Sequence, residues 1–174
     1  MEHINENFVG WFTFPRLYKD MVNKMEDGSS FVEVGVYEGK SLAYFLVEMI
    51  NANKKFNVTG VDSFTFEGLF DKFQLNMQPV IDKFDVVIDQ SWDASKEFED
   101  KTLDFVFIDA DHVYENVKKD ILAWLPKVKS GGTIAGHDYV SYHPGVIQAV
   151  NEIFGDNFSK EYIDEVCWMV KVES

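Results

Sequence analysis

The stretch Leu103-Asp104-Phe105-Val106-Phe107-Ile108-Asp109-Ala110-Asp111 decides the fold. A short, nearly continuous apolar run suits a strand buried on both faces, as in a parallel sheet. It ends in acids, at the place where open α/β sheets bind ligands. The same pattern recurs on either side of it. Phe31-Val32-Glu33-Val34-Gly35, Asn57 to Asp62, Asp85 to Asp89 and Thr133 to Asp138 each read as a strand running into polar residues. Helix-period segments separate them. Lys40 to Asn51 puts Leu42, Phe45, Leu46 and Met49 on one face. Further segments run from about Glu67 to Lys83 (in part), Asp93 to Asp100, Val113 to Leu125 and Pro144 to Phe154. Pro126 and the basic residues Lys127 and Lys129 close the fourth of these helices, and Gly131-Gly132 reads as a break before the fifth strand. This alternation predicts an α/β fold with crossover helices. The end differs: Tyr162 to Glu165 and Cys167 to Val172 are strand-like runs with no room for a crossover, which predicts an antiparallel hairpin.

Composition narrows the class. The chain has 174 residues, 46% hydrophobic and 26% charged, which fits one domain over residues 1–174 and excludes disordered, collagen-like and coiled-coil chains. A lone Cys167, no apolar run of membrane-spanning length and no visible leader point to a cytoplasmic protein. Sixteen basic against 30 acidic residues give a net charge of −14. That argues against nucleic acid and against an anionic membrane as partners. Arg16 is the only arginine, so bidentate phosphate recognition is not expected. Phe8, Trp11, Phe12 and Phe14 make residues 1–29 a helical and aromatic segment, read as a lid or the face of a homodimer.

The strand ends carry the chemistry. After the first strand, Gly35 and Gly39 allow tight turning and close approach of a ligand, while Tyr37, Glu38 and Glu33 disfavour a dinucleotide phosphate and suit a ligand with an amino group. An ordinary strand–helix turn reads the same way. Asp62, followed by Ser63 and Phe64, can accept bonds from both hydroxyls of a ribose or can cap a helix. Gln90 and Ser91 can meet an adenine edge with Trp92 shielding it, or Ser91 can cap a helix. Asp109, Asp111 and His112 should face His137 and Asp138 across adjacent strand ends. Carboxylates so close would repel, and a divalent cation relieves that. Oxygen ligands suit Mg²⁺ or Mn²⁺, and histidine tilts the choice toward a transition metal. The metal-free alternative has acids capping helices and histidines as polar spacers.

Val32-Glu33-Val34-Gly35-Val36-Tyr37-Glu38-Gly39-Lys40-Ser41-Leu42 and the 103–111 stretch resemble motifs of caffeoyl-CoA and catechol O-methyltransferases. Asp111-His112-Val113-Tyr114-Glu115, Gly131-Gly132 and Gly136-His137-Asp138 are similar to the bacterial small-molecule family called methyltransferase domain 24, which includes sugar O-methyltransferases. The resemblance spans about Phe31 to Val150. It implies a class I, Rossmann-like three-layer sandwich whose seven-stranded sheet has the order 3-2-1-4-5-7-6, with the last strand antiparallel. It implies S-adenosylmethionine as cofactor, O-methylation of a small-molecule acceptor and a divalent cation. Glu33, Gly35, Tyr37, Glu38, Gly39 and Ser41 would surround the methionine end, Asp62, Ser63 and Phe64 the ribose, and Gln90, Ser91 and Trp92 the adenine. Asp109 would touch both cofactor and metal, with His137 and Asp138 as the other metal ligands. Asp111 or His112 would be the base; His112 stands where the plant and animal enzymes have a lysine. Competing readings are a catalytically silent S-adenosylmethionine-binding protein, an NAD-dependent oxidoreductase, which the poor glycine fingerprint disfavours, and another metal enzyme on the same scaffold.

Overall fold

A computed structural model describes residues 1–173. Its elements are α1 (Pro15–Lys24), β1 (Ser30–Val34), α2 (Lys40–Asn51), β2 (Asn57–Asp62), α3 (Leu69–Met77), β3 (Asp85–Ile88), α4 (Ser91–Ala94), β4 (Leu103–Ile108), α5 (Tyr114–Trp124), β5 (Val128–Gly136), α6 (Pro144–Phe154) and β6 (Trp168–Lys171). The sheet order is β3-β2-β1-β4-β5-β6. All neighbours are parallel except β5 and β6. This is the Rossmann-like α/β sandwich.

The period of two along the central strands sorts the core into two layers. Phe31, Phe105 and Phe107 face α1, α2 and α3 and pack with Phe14, Tyr18 and Phe45. Val32, Val34, Val106 and Ile108 face the other way, into an aliphatic layer with Val117, Ile121 and Trp124 of α5 and Val146 and Val150 of α6. No helix among the described residues is long and apolar enough to cross a membrane.

The sheet has six strands, not seven. The expected sixth, Tyr162 to Glu165, winds instead into a 3-10 turn at Ile163–Glu165. Its Glu165 carboxylate accepts the backbone N–H groups of Arg16 and Leu17, each at 2.9 Å. These are orphan donors in the first turn of α1, and a carboxylate there also suits the helix dipole. What remains of the outer strand is one bridge, Ser159 to Met169. A second difference lies in β5, which begins at Val128 and runs through Gly131-Gly132 without breaking. A register shift against β4 absorbs the irregularity, and Gly131 takes a φ of +77°.

Candidate active site

A cleft of about 470 Å³ lies beyond the carboxyl ends of β1 to β4. Gly35 and Tyr37 line it after β1, Asp62 and Ser63 after β2, Asp89 to Trp92 after β3, and Asp109 to His112 after β4. No Lys or Arg is among the described residues that line it. The cleft sits at the switch point of the sheet, between β1 and β4, where the strand order reverses. Gly35 is required there: at φ +88°, a Cβ would stand 2.1 Å from the Asp109 carbonyl oxygen.

Asp62 ties two loops together, accepting the N–H of Tyr37 and of Phe64, both at 2.8 Å. A carboxylate has about four lone-pair sites, so two further donors can still be met. At the far end Trp124 donates its Nε1–H to Ser91 Oγ at 2.9 Å. Lys119 Nζ lies 3.5 Å over the Trp92 ring. Asp120 of α5 also lines this end. Burial pushes its carboxyl up to about 6, against the opposing effect of Ser91.

Beside the cleft, one carboxylate gathers three imidazoles. Asp138 Oδ2 is 2.7 Å from His112 Nε2 and 3.3 Å from His137 Nδ1, while Oδ1 is 3.8 Å from His143 Nε2. Asp109 Oδ1 is 3.5 Å from His137 Nδ1. His137 uses its other nitrogen, Nε2, toward Thr13 Oγ1 at 2.8 Å. His143 stacks on His112 with centroids 4.0 Å apart. Burial alone would lower the His137 pKa, but the carboxylates of Asp109 and Asp138 reverse this and raise it to about 9. Burial works against the Asp138 charge, yet the imidazoles of His112 and His137 hold its pKa well below the usual range. The bond to Asp138 raises His112. Asp109, His137 and Asp138 form one group able to hold an ion, and His112, Asp138 and His143 another.

The profile of a methyltransferase-domain family matches residues 32–139, the segment that builds both the cleft and this cluster. The chain belongs to that family. An uncharacterized protein (R132) of Acanthamoeba polyphaga mimivirus is 28% identical over 92% of this chain and 76% of its own length. Among solved structures the O-methyltransferase NovP superposes with a TM-score of 0.72 at 17% identity, over 93% of this chain and 80% of NovP. A provisionally named caffeoyl-CoA O-methyltransferase of Staphylococcus aureus gives 0.69 at 16%, over 95% and 86%. The TDP-rhamnose 3'-O-methyltransferase of calicheamicin biosynthesis gives 0.65 at 15%, over 90% and 75%. These likenesses share the fold of S-adenosylmethionine-dependent methyltransferases.

Within this methyltransferase fold the residues expected at the site divide. Gly35, Tyr37, Asp62, Ser63, Gln90, Ser91, Trp92, Asp109, Asp111 and His112 do line the cleft. Glu33, Glu38, Gly39, Ser41 and Phe64 are not among its lining residues. Glu33 is 0% exposed and accepts a hydrogen bond from the Ser41 hydroxyl beneath the loop. Glu38 turns toward α3, with Lys72 Nζ at 3.5 Å. Gly39 has no space for a Cβ because Met77 Sδ would lie 2.6 Å away. Phe64 packs on Phe70 and Phe73. The sequence reading missed Asp120, Asn116 and His143. Asp120 and Asn116 sit inside a helical pattern that reads as a solvated face, and nothing in the sequence marks His143 as a neighbour of His112.

Proposed function

We propose that this protein transfers a methyl group from S-adenosylmethionine to a hydroxyl oxygen of a small molecule, with His112 as general base. The observation that carries this reading is the Asp138–His112 pair, 2.7 Å apart at the rim of the cleft. Asp138 engages Nε2, which leaves Nδ1 as the ring nitrogen for proton transfer. Asp111 is the weaker candidate. Its Oδ1 accepts the Val113 N–H at 2.7 Å and its Oδ2 the Asn116 side-chain amide at 2.9 Å. Burial disfavours its charge, but these bonds more than offset that and lower its pKa, so it is a poor proton acceptor.

The cofactor supplies, when bound, an electrophilic methyl on a sulfonium. Asp62 would hold the ribose hydroxyls, and the Ser91–Trp92 end would hold the adenine. The acceptor hydroxyl would lie between His112 and the methyl, giving its proton to Nδ1 while the O–CH₃ bond forms and the C–S bond breaks. Asp138 would then steady the imidazolium. Alignment of the reacting atoms would account for much of the rate gain.

Asp109, His137 and Asp138 would hold a divalent cation. Donor separations of 3.3 and 3.5 Å are those of ligands sharing one ion at bonds of about 2.1 Å. The Thr13 hydroxyl on the far nitrogen of His137 is the outer-shell partner that a ligating imidazole usually has. A nitrogen donor favours Mn²⁺ or another first-row ion over Mg²⁺. Such an ion would anchor the acceptor and lower its hydroxyl pKa. The absence of Lys and Arg from the lining favours acceptors without phosphate groups.

The test is transfer of labelled methyl from S-adenosylmethionine to a panel of hydroxylated acceptors, with Mn²⁺, with Mg²⁺ and with a chelator. Transfer that a chelator abolishes and His112→Ala reduces at least a hundredfold is expected. Transfer unchanged in His112→Ala would overturn the assignment of the base, and chelator-resistant transfer that of the ion.

A further inference from the structure

Asp120 is a buried group that the mechanism above does not use. It lies in the middle of α5 and is 1% exposed, yet it lines the cleft at the Ser91–Trp92 end. Its Oδ1 has no hydrogen-bond partner. A carboxylate oxygen buried without a donor is costly. The cost is relieved if the donor arrives with whatever fills that end of the cleft. The local residues cannot supply everything it needs. Trp124 spends its indole N–H on Ser91, and the nearby Lys119 ammonium sits over the Trp92 ring.

Resting on the cofactor reading above, we propose that Asp120 accepts a hydrogen bond from the exocyclic amino group of the adenine, and so makes the cleft selective for that base. The chemistry is directional. The amino group on C6 of adenine is a donor and matches the unpartnered acceptor oxygen of Asp120. A 6-oxo purine presents a carbonyl oxygen there, so two acceptors would face each other across a buried contact. Sites built to meet one polar group discriminate strongly against its absence or inversion. Trp92 lines the same end, and an indole can stack on any purine. Stacking there adds affinity but no choice between bases, and the choice falls to Asp120.

The experiment is calorimetric titration of S-adenosylhomocysteine and of S-inosylhomocysteine into the wild-type chain and into Asp120→Asn. The wild type is expected to bind the inosyl compound at least about tenfold more weakly. In Asp120→Asn the side-chain amide can donate to a 6-oxo group, so the ratio should fall to near one or invert. A purely structural role for Asp120 predicts that both ligands weaken by the same factor, and that result would overturn the proposal. The wild-type ratio decides even if the variant does not fold: equal affinity for the two compounds also overturns it. Failure of S-adenosylhomocysteine itself to bind would overturn the cofactor reading, and the role of Asp120 with it. Binding without discrimination would overturn the role of Asp120 alone.

Discussion

The end of β1 and the ends of β4 and β5 start from the same kind of sequence and finish with opposite electrostatics. Each has acids at or just beyond an apolar strand. At β1 the first of them, Glu33, points into the aromatic layer under Tyr18 and α2. Burial, with the charges of Asp109 and Asp62 adding to it, pushes its carboxyl up to about 8, against the Ser41 hydroxyl. At β4 and β5, Asp109 and Asp138 turn toward one another and toward imidazoles, and the Asp138 charge is held. What separates the two is the element that follows. α2 starts at Lys40 and closes directly over β1, so Glu33 is sealed in. Asp138 sits at a φ of +59° in an open link before α6. An acid at a strand end therefore becomes a working group only where the next helix leaves it uncovered.

That contrast can be broken by substitution. The largest effect is expected on the open side. Asp138→Asn should lower methyl transfer by about 10² to 10⁴-fold, as loss of an oriented base does, while S-adenosylhomocysteine affinity stays within about threefold of wild type. Comparable losses in rate and affinity would place Asp138 in the cofactor site instead. Next is the seam between the two regions. Gly35→Ala forces a Cβ against the Asp109 backbone at positive φ and should cost about 3 kcal/mol or more of unfolding free energy. A denaturation midpoint equal to wild type would contradict this close approach. Asp62→Asn, on the cofactor side, should weaken S-adenosylhomocysteine binding by about 1.5–3 kcal/mol, the worth of a hydrogen bond to a charged group. Unchanged affinity would remove Asp62 from the ribose.

Glu33, on the sealed side, governs the pH dependence of stability rather than a rate or an affinity. Its carboxyl is protonated in the folded chain up to about 8 but ionises near 4.5 once unfolded. Its contribution to stability is therefore full below about 4.5 and is lost as pH rises toward 8, at no more than about 1.4 kcal/mol per pH unit. Glu33→Gln should flatten that slope in denaturant melts at pH 5.5, 7 and 8. A slope identical to wild type would mean that Glu33 ionises normally in its buried place.

The central parallel strands β1 and β4 were legible because burial on both faces demands continuous apolar runs, and β4 shows this most plainly. The cleft residues after β2, β3 and β4 followed from topology alone, since the carboxyl ends of such strands must converge. The terminal hairpin misled for a physical reason. Tyr162 to Glu165 reads as a strand-like run beside Cys167 to Val172, but Glu165 answers the unpaired N–H groups of α1, nearly 150 positions earlier in the chain. No local pattern encodes a partner that distant. Asp120 was hidden for a related reason. Lys118-Lys119-Asp120 reads as a solvated helix face, and only the packing of α5 beside α4 turns Asp120 inward. Glu33 was expected at the cleft with Gly35 and Tyr37, which do line it, but strand alternation turns Val34 to the cleft side and Glu33 to the opposite face, where it is sealed against Ser41 of α2.

Every role proposed for the cleft depends on its taking the methyl donor. Titration of S-adenosylmethionine into the wild-type chain, followed by calorimetry, tests this most directly. One site per chain with a Kd of about 1–100 μM, weakened by Asp62→Asn and little changed by Asp138→Asn, is the predicted result. No heat and no saturation with either S-adenosylmethionine or S-adenosylhomocysteine, with or without Mn²⁺, would contradict it.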